Sequence, residues 1–200
     1  MRKIIASVNL TLNGYMAGID GELNWHFPYW DEAMLAYSYE QLKAADTLLL
    51  GRRTYDLMAG YWPHAATRPS PSEADMVLAN LMNSYQKIVF SGNLLHARWH
   101  NTTIVNKITR QYFHALKQHA GKNMLLLGSG SIIHKLTQLS LIDEYCLWIH
   151  PVLLPDGVPL FKKINIPPHL QLLTTRQFST GVVVLNYTSN TIKPGHTTVA

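Results

Sequence analysis

Three short apolar runs, each ended by glycine or by serine and glycine, constrain this fold more than any other feature of the sequence. They are residues 47–50 before Gly51, residues 87–90 before Ser91-Gly92, and residues 124–127 before Gly128. Apart from Thr47 and Lys87 at their first positions, these runs are apolar throughout, which is typical of strands buried on both faces, as in a parallel sheet. Residues 4–12 alternate apolar and polar side chains and predict a further strand.

Helix patterns separate these runs. Asp31 predicts the N-cap of a helix that reaches about Lys43. The buried face of this helix is predicted to hold Met34, Leu35, Tyr39 and Leu42. Four further helices are predicted. The first opens at Arg52, and the second passes through Met76, Leu78 and Leu81. The third has Asn106 as its cap and carries Ile108, Tyr112 and Leu116, and the fourth follows Gly128-Ser129-Gly130 and carries Ile132, Ile133, Leu136 and Leu139.

The last third of the chain changes character. Residues 144–152, 171–178 and 182–188 read as strands with no helix between them, and residues 178–182 predict a hairpin turn. The order therefore predicts an α/β fold with a mostly parallel central sheet and antiparallel C-terminal strands. We expect one domain over residues 1–189 and a polar tail over residues 190–200.

Composition narrows the function classes. The chain has 17 Lys and Arg against 12 Asp and Glu, which gives a net charge of +5. The basic residues are dispersed along the chain, which favours an anionic ligand over nucleic acid. The lone Cys146 excludes an intrachain disulfide and indicates a cytoplasmic setting. The sequence holds no apolar run of the roughly 18 residues that a membrane span requires. We expect a cytoplasmic protein with a small-molecule substrate and no membrane partner.

The glycine-ended strands indicate where a ligand binds. In an open α/β sheet their carboxyl ends share one edge, and Gly128-Ser129-Gly130-Ser131 opens a helix whose free amides suit a phosphate. The same motif also forms a plain tight turn, and both interpretations stay open. A Rossmann domain is disfavoured, because Ile133 and His134 stand where its third glycine would be.

Arg52 and Arg53 follow Gly51 at a helix start, where positive charge is locally unfavourable. A bound anion would explain them, and a guanidinium suits the 2′-phosphate that distinguishes NADPH from NADH. The alternative is a pair of solvated arginines.

The sequence resembles the dihydrofolate reductase superfamily, and more closely its branch that includes the reductase domain of bacterial riboflavin-pathway deaminase-reductases. The motifs that carry the resemblance cover about residues 2–188; they are residues 6–17, residues 50–55, Gly128-Ser129-Gly130-Ser131, Ile142-Asp143-Glu144, residues 150–154 and residues 159–161. The resemblance implies a three-layer α/β/α fold, NADPH as cofactor and a homodimer.

The resemblance also implies roles for individual residues. Ala17 and Gly18 belong to the loop over the nicotinamide, and Ser91 lies near the adenosine. The loop that holds the adenosine phosphates is Gly51, Arg52, Arg53 and Thr54. The pyrophosphate cradle is Gly128, Ser129, Gly130, Ser131 and Ile132.

The catalytic position is predicted at Asp31. Dihydrofolate reductases place a carboxylate early in the first helix, a few residues after a Trp, where it holds the pterin. Trp25 matches that Trp and, with Asp31, is predicted to bind the substrate. The position that corresponds to the carboxylate falls at Trp30 or Asp31. Asp31 equally fits a plain N-cap. A nicotinamide reductase needs no nucleophile, because the cofactor carries the chemistry.

Two other chemistries are disfavoured. His96 and His100 are four residues apart, yet no third ligand accompanies them, so we predict no metal site. A zinc deaminase needs a Pro-Cys-x-x-Cys motif, which a chain with one cysteine cannot supply.

We therefore expect an NADPH-dependent reductase that transfers hydride to a small heterocycle, with 5-amino-6-(5-phosphoribosylamino)uracil reduction the activity that the resemblance implies. Dihydrofolate reduction is the alternative among enzymes. A non-catalytic nucleotide-binding module on the same fold is the alternative from another class.

Overall fold

A computed structural model describes residues 1–162, 164 and 169–189. The strands are β1 (Ile4–Thr11), β2 (Tyr15–Ala17), β3 (Ala45–Gly51), β4 (Gln86–Phe90), β5 (Thr102–Val105), β6 (Asn123–Leu127), β7 (Glu144–His150), β8 (Val158–Pro159), β9 (Leu170–Gln177) and β10 (Val183–Ser189). The α-helices are α1 (Glu32–Lys43), α2 (Arg52–Ala59), α3 (Trp62–Ala65), α4 (Glu73–Ser84), α5 (Arg110–Gln118) and α6 (Gly130–Gln138).

The central sheet has eight strands in the order β5-β4-β3-β6-β1-β7-β10-β9. The first six strands in that order are parallel to one another, and β10 is antiparallel to both β7 and β9. The predicted mostly parallel sheet with antiparallel C-terminal strands is confirmed. The carboxyl ends of β3, β4, β6, β1 and β7 consequently meet at one edge, called the strand-end edge below.

Helices cover both faces of this sheet. Successive strand residues point to opposite faces, so Leu49 packs in the core cluster with Phe113 of α5 and Ile133 of α6. Its neighbours Leu48 and Leu50 pack in a second cluster with residues of α1, α2 and α4. Because the two clusters lie on opposite faces, the predicted three-layer α/β/α arrangement is confirmed.

A third cluster extends the second face beyond β1. It joins Met34 of α1 to Trp148 of β7 and to Phe178, Val182 and Val184 of the C-terminal hairpin. The hairpin turn is closed by the amide of Gly181, which donates to the carbonyl of Phe178 at 3.0 Å, as the sequence predicts. This hairpin and α1 together wall the region where the predicted catalytic position lies.

Several local predictions differ from the structure. Helix α5 begins at Arg110 and not after Asn106, because the Thr109 hydroxyl accepts the amide of Tyr112 and caps the helix. Leu35 is exposed, although its spacing fits the buried stripe of α1. The short sheet of β2 and β8 has no counterpart in the sequence analysis.

The predicted polar tail, residues 190–200, lies outside the described residues. Among the residues that the structure does describe, no helix has the length and apolar character needed to cross a membrane.

Candidate active site

Two loops at the strand-end edge are tied together by one serine side chain. Ser129 Oγ accepts the amide of Gly51 at 2.9 Å and forms a hydrogen bond with Thr54 Oγ1 at 2.6 Å. A Cβ on Gly51 would collide with Ser129 Oγ and lie only 2.7 Å from its Cβ, so the contact requires glycine. We call these three residues the Ser129 clamp, and it joins the start of α2 to the start of α6.

The backbone around the clamp leaves amides free at the start of α6. Gly128 and Ser129 have φ angles of 64° and 58°, which turn the chain sharply after β6. Ile132 and Ile133 donate their amides to the carbonyl of Ser129, so the amides of Gly130 and Ser131 precede the first helical hydrogen bonds. The first turn of α6 holds no acidic residue. This geometry fits a pyrophosphate group.

The start of α2 adds positive charge at the same edge. Arg52 and Arg53 are both exposed, and Arg52 lies 3.6 Å from Asp56 in an i,i+4 pair. Ser91 follows Phe90, which is aligned with Gly51 across β3 and β4. Its hydroxyl oxygen accepts the amides of Asn93 and Leu94, and thereby orders its own turn.

The predicted nicotinamide loop also reaches this edge. Ala17 ends β2 and is buried, and the Gly18 amide donates to the carbonyl of Glu22 at 3.0 Å. The Met16 side chain lies against Gly130, where it would collide with a Cβ. The structure therefore brings the loops of Ala17, Gly51 and Gly128 together, as the sequence analysis expects of a cofactor site.

A cleft of about 220 Å³ opens between α1, α2 and α4 and the face of the sheet. It is lined by Ser7, Trp30, Leu35, Ser38, Gln41, Leu42, Met58, Trp62, Leu78, Met82, Leu125 and Leu127. Leu127 directly precedes Gly128, so the cleft adjoins the phosphate loops. None of these lining residues is charged.

Two hydrogen bonds from the sheet hold the lining residues Gln41 and Ser7. Gln41 Nε2 donates to Cys146 Sγ at 2.9 Å, and Trp148 Nε1 donates to Ser7 Oγ at 3.2 Å. Burial raises the pKa of the Cys146 thiol, while its hydrogen bonds to Gln41, Ser7 and Trp148 act in the opposite direction. Cys146 therefore remains a neutral thiol near neutral pH. Sequence reasoning did not identify Gln41 or Ser7.

Asp31 lies beside the cleft and does not line it. One carboxylate oxygen accepts the amide of Met34 at 2.8 Å, and the other accepts the hydroxyl of Ser179 at 2.9 Å. The predicted N-cap geometry is thus present, and the side chain that lines the cleft at this register is Trp30. The catalytic role of Asp31 stays a prediction.

Two buried histidines meet at the ends of β1 and β7. The rings of His26 and His150 lie 5.7 Å apart, and His150 is 0% exposed. Asn9 Oδ1 lies 2.9 Å from His150 Nε2, and Trp30 Nε1 donates to His26 Nδ1 at 3.0 Å. We call His26 and His150 the imidazole pair.

Burial lowers the pKa of both histidines to about 4, and proximity to His26 contributes to the shift at His150. Both rings are consequently neutral at physiological pH. Trp25, a predicted substrate residue, contacts both rings edge-on and does not line the cleft. The sequence carried no spacing signal for this pair, because β1, β7 and the segment before α1 are brought together only by the fold.

A larger cavity of about 440 Å³ lies at the opposite edge of the sheet, between the start of β1 and the end of α5. Its two buried cations are already paired, Arg2 with Asp46 and Lys117 with Asp143. Size alone therefore does not identify the candidate active site. Within the described ranges, no group of three or more His, Cys, Asp or Glu residues has the geometry of a metal site.

Comparison with known sequences gives a consistent result. The family model described as the RibD C-terminal domain matches residues 2–184. The uncharacterized protein YyaP of Bacillus subtilis (strain 168) is 32% identical over 186 residues, which is 93% of this chain and 94% of YyaP. YwjB of the same organism is 27% identical over 181 residues, which is 90% of this chain and 95% of YwjB.

Solved structures share the fold at low sequence identity. A protein of Shewanella sp. PV-4 assigned to riboflavin biosynthesis has a TM-score of 0.72 at 18% identity, over 94% of this chain and 99% of its own. The deaminase/reductase of Thermotoga maritima has a TM-score of 0.65 at 13% identity over 94% and 57%. Dihydrofolate reductase of Enterococcus faecalis, complexed with NADP(H), has a TM-score of 0.59 at 17% identity over 94% and 96%. The resemblance inferred from the sequence is confirmed at the level of the fold.

The Ser129 clamp predicts the effect of enlarging Gly51. Gly51→Ala should lower the free energy of unfolding by about 1–3 kcal/mol, because the added methyl group displaces Ser129 from a packed position. Chemical denaturation measures this. Gly60→Ala is the control, since its nearest contacts would be ordinary ones at 3.5 Å. If both variants were equally stable, Ser129 would not be packed closely enough against Gly51 for the added methyl group to displace it.

The imidazole pair predicts a specific acid sensitivity. Its folded pKa values of about 4 lie below the usual 6.5, so below pH 6.5 the unfolded chain binds protons that the folded chain does not. Stability should therefore fall as the pH decreases from 6.5 to 4, by on the order of 3 kcal/mol for each histidine. Melting temperatures across this range measure the loss.

His150→Gln should remove about half of that loss, because glutamine can still bond to Asn9 and does not titrate. The exposed His96→Gln is the matched control and should leave the pH dependence unchanged. If the steep loss of stability at low pH persisted in His150→Gln, titrating groups other than the imidazole pair would be its cause.

Proposed function

Because this chain belongs to the RibD C-terminal domain family, we propose that it is an NADPH-dependent reductase that transfers hydride to a small heterocyclic substrate. The observation that carries the proposal is the Ser129 clamp. It holds the Gly51 loop and the amino end of α6 side by side, next to an apolar cleft of ring-binding size. Anion-binding amides beside such a cleft are what a dinucleotide-dependent enzyme requires.

Different residues at the strand-end edge would bind different parts of the cofactor. The amides of Gly130 and Ser131 would hold the pyrophosphate, and Arg52 and Arg53 the 2′-phosphate. Ser91 would lie at the adenosine, and the loop of Ala17 and Gly18 over the nicotinamide. When bound, the reduced nicotinamide supplies the hydride. The chain itself positions the two reactants and excludes water.

The cleft is where the chain would position the substrate ring and exclude water. Its walls are mostly aliphatic and aromatic, and Trp30 in the lining stacks on Trp148 with 5.2 Å between the ring centroids. A flat ring lying between such walls is desolvated and oriented without covalent attachment. This arrangement supports hydride transfer, which needs closeness and the absence of water more than an acid or a nucleophile.

The substrate that we propose is 5-amino-6-(5-phosphoribosylamino)uracil. The Thermotoga maritima protein of the same fold is named as a reductase of this compound. Its uracil ring, as distinct from its anionic phosphoribosyl group, is planar and uncharged, in keeping with a cleft that has no charged lining residue. The proposal for the substrate is separable from that for the cofactor, and each has its own test.

Cofactor binding is tested by titrating the protein with NADPH while following cofactor fluorescence. We expect a saturable change and a rise in melting temperature. Arg53→Ala should weaken NADPH binding about tenfold and leave NADH binding unchanged, because it is Arg52, and not Arg53, that is paired with Asp56. Arg110→Ala, an exposed change on α5, is the control. The absence of a saturable change would refute the cofactor assignment.

Turnover then tests the role of Asp31. NADPH oxidation is measured with the aminouracil and with dihydrofolate, since a non-catalytic module would bind NADPH and oxidise it with neither. If Asp31 takes part in proton transfer, Asp31→Asn lowers kcat about a hundredfold. The melting temperature should not change, because asparagine caps helices as well as aspartate does. Unchanged turnover would leave Asp31 as a helix cap alone.

A further inference from the structure

The cleft lacks the charge that would bind a protonated ring. Every polar lining residue is neutral, namely Ser7, Ser38 and Gln41. Asp31, the N-cap of α1 beside the cleft, has both carboxylate oxygens engaged, one by the amide of Met34 and the other by the hydroxyl of Ser179. An ionised carboxylate is the usual partner of a cationic ring, because charge-assisted hydrogen bonds are about twice as strong as neutral ones. A cationic ring would enter this cleft without such a partner.

Gln41 supplies a different kind of contact. Its Nε2 uses one hydrogen on Cys146 Sγ, which leaves the second N–H as a donor and Oε1 as an acceptor. A carboxamide presents these two groups side by side in one plane. That pattern is complementary to the N–H and C=O edge of a lactam, the group found in uracil-type rings.

The contact with Cys146 in the sheet fixes the orientation of the Gln41 side chain. Cys146 is 1% exposed, is held in β7 between β1 and β10, and accepts a hydrogen bond from Gln41 Nε2 as a thiol. The neighbouring Ser7 hydroxyl oxygen accepts a hydrogen bond from the indole N–H of Trp148, so Ser7 is also held in place. A side chain that is fixed before its ligand arrives loses little rotamer entropy on binding.

We propose that Gln41 is the specificity-determining residue of the cleft, binding the lactam edge of an uncharged ring, and that the cleft discriminates against protonated diaminopyrimidine rings. This inference rests on the proposed function, whose substrate it narrows to molecules that carry a ring with an uncharged lactam edge. Cys146 acts as the positioning residue for the Gln41 carboxamide. The walls formed by Trp30 and Trp62 accommodate the faces of the ring.

The test compares two small rings of similar size, uracil and 2,4-diaminopyrimidine, at a pH where the second is protonated. Dissociation constants are measured by NMR titration on the full chain, with and without NADPH. The wild-type protein should bind uracil at least about tenfold more tightly than the cation, a difference of about 1.4 kcal/mol.

The variant Gln41→Glu keeps the shape of the side chain and adds a carboxylate. It should reverse the preference, weakening uracil and strengthening the cation by about tenfold each. Gln111→Glu makes the same change on exposed α5 and should leave both constants unchanged. If Gln41→Glu does not fold, Gln41→Met serves instead, and it should weaken uracil about tenfold without strengthening the cation.

The outcomes separate this inference from the proposed function. A protein that binds NADPH but prefers the cation, binds neither ring, or keeps its preference in Gln41→Glu or Gln41→Met overturns the inference alone. A protein that binds no NADPH overturns the proposed function whichever ring it prefers. Reversal in Gln41→Glu, with Gln111→Glu unchanged, establishes Gln41 as the determinant.

Discussion

Burial of the parallel strands on both faces is the constraint on which the rest of this structure depends. Leu48, Leu49 and Leu50 are all fully buried, although they point alternately to opposite sides of the sheet. Such a strand is stable only if helices cover both of its faces. The helices must then return the chain to the same end of the sheet, and this collects the turns after β3, β4 and β6 at one edge. The candidate cofactor site is a consequence of that geometry.

The elements that follow from local pattern were predictable from the sequence. The apolar runs before Gly51 and Gly128 identified β3 and β6, and Asp31 identified the start of α1, because in each case neighbouring residues determine the structure. Prediction was wrong where two neighbours compete. Asn106 and Thr109 are both good caps, and it is the Thr109 hydroxyl that accepts the amide of Tyr112. The β2 and β8 pairing joins segments about 140 residues apart, and no local pattern encodes it.

The candidate site divides in the same way. The residues grouped by the Ser129 clamp all belong to turns after predicted strands, so their proximity could be inferred from topology. Gln41, Ser7 and Cys146 lie on α1, β1 and β7, and they read in the sequence as ordinary helix and strand residues. The imidazole pair is equally non-local. One residue of register also separates Trp30 from Asp31, and only the path of the chain into α1 decides which of them lines the cleft.

The clamp has a consequence for how sequences of this kind can diverge. Ser129 Oγ bonds to the Gly51 amide and the Thr54 hydroxyl, and it occupies the space that a side chain at position 51 would need. A substitution at any one of these positions therefore changes which residues can bond or fit at the other two. Substitutions here should therefore be inherited together: a relative that loses the hydroxyl at position 129 should also differ at position 54 and tolerate a larger residue at position 51. The three sites thus form one unit of variation, spread over nearly eighty residues of chain.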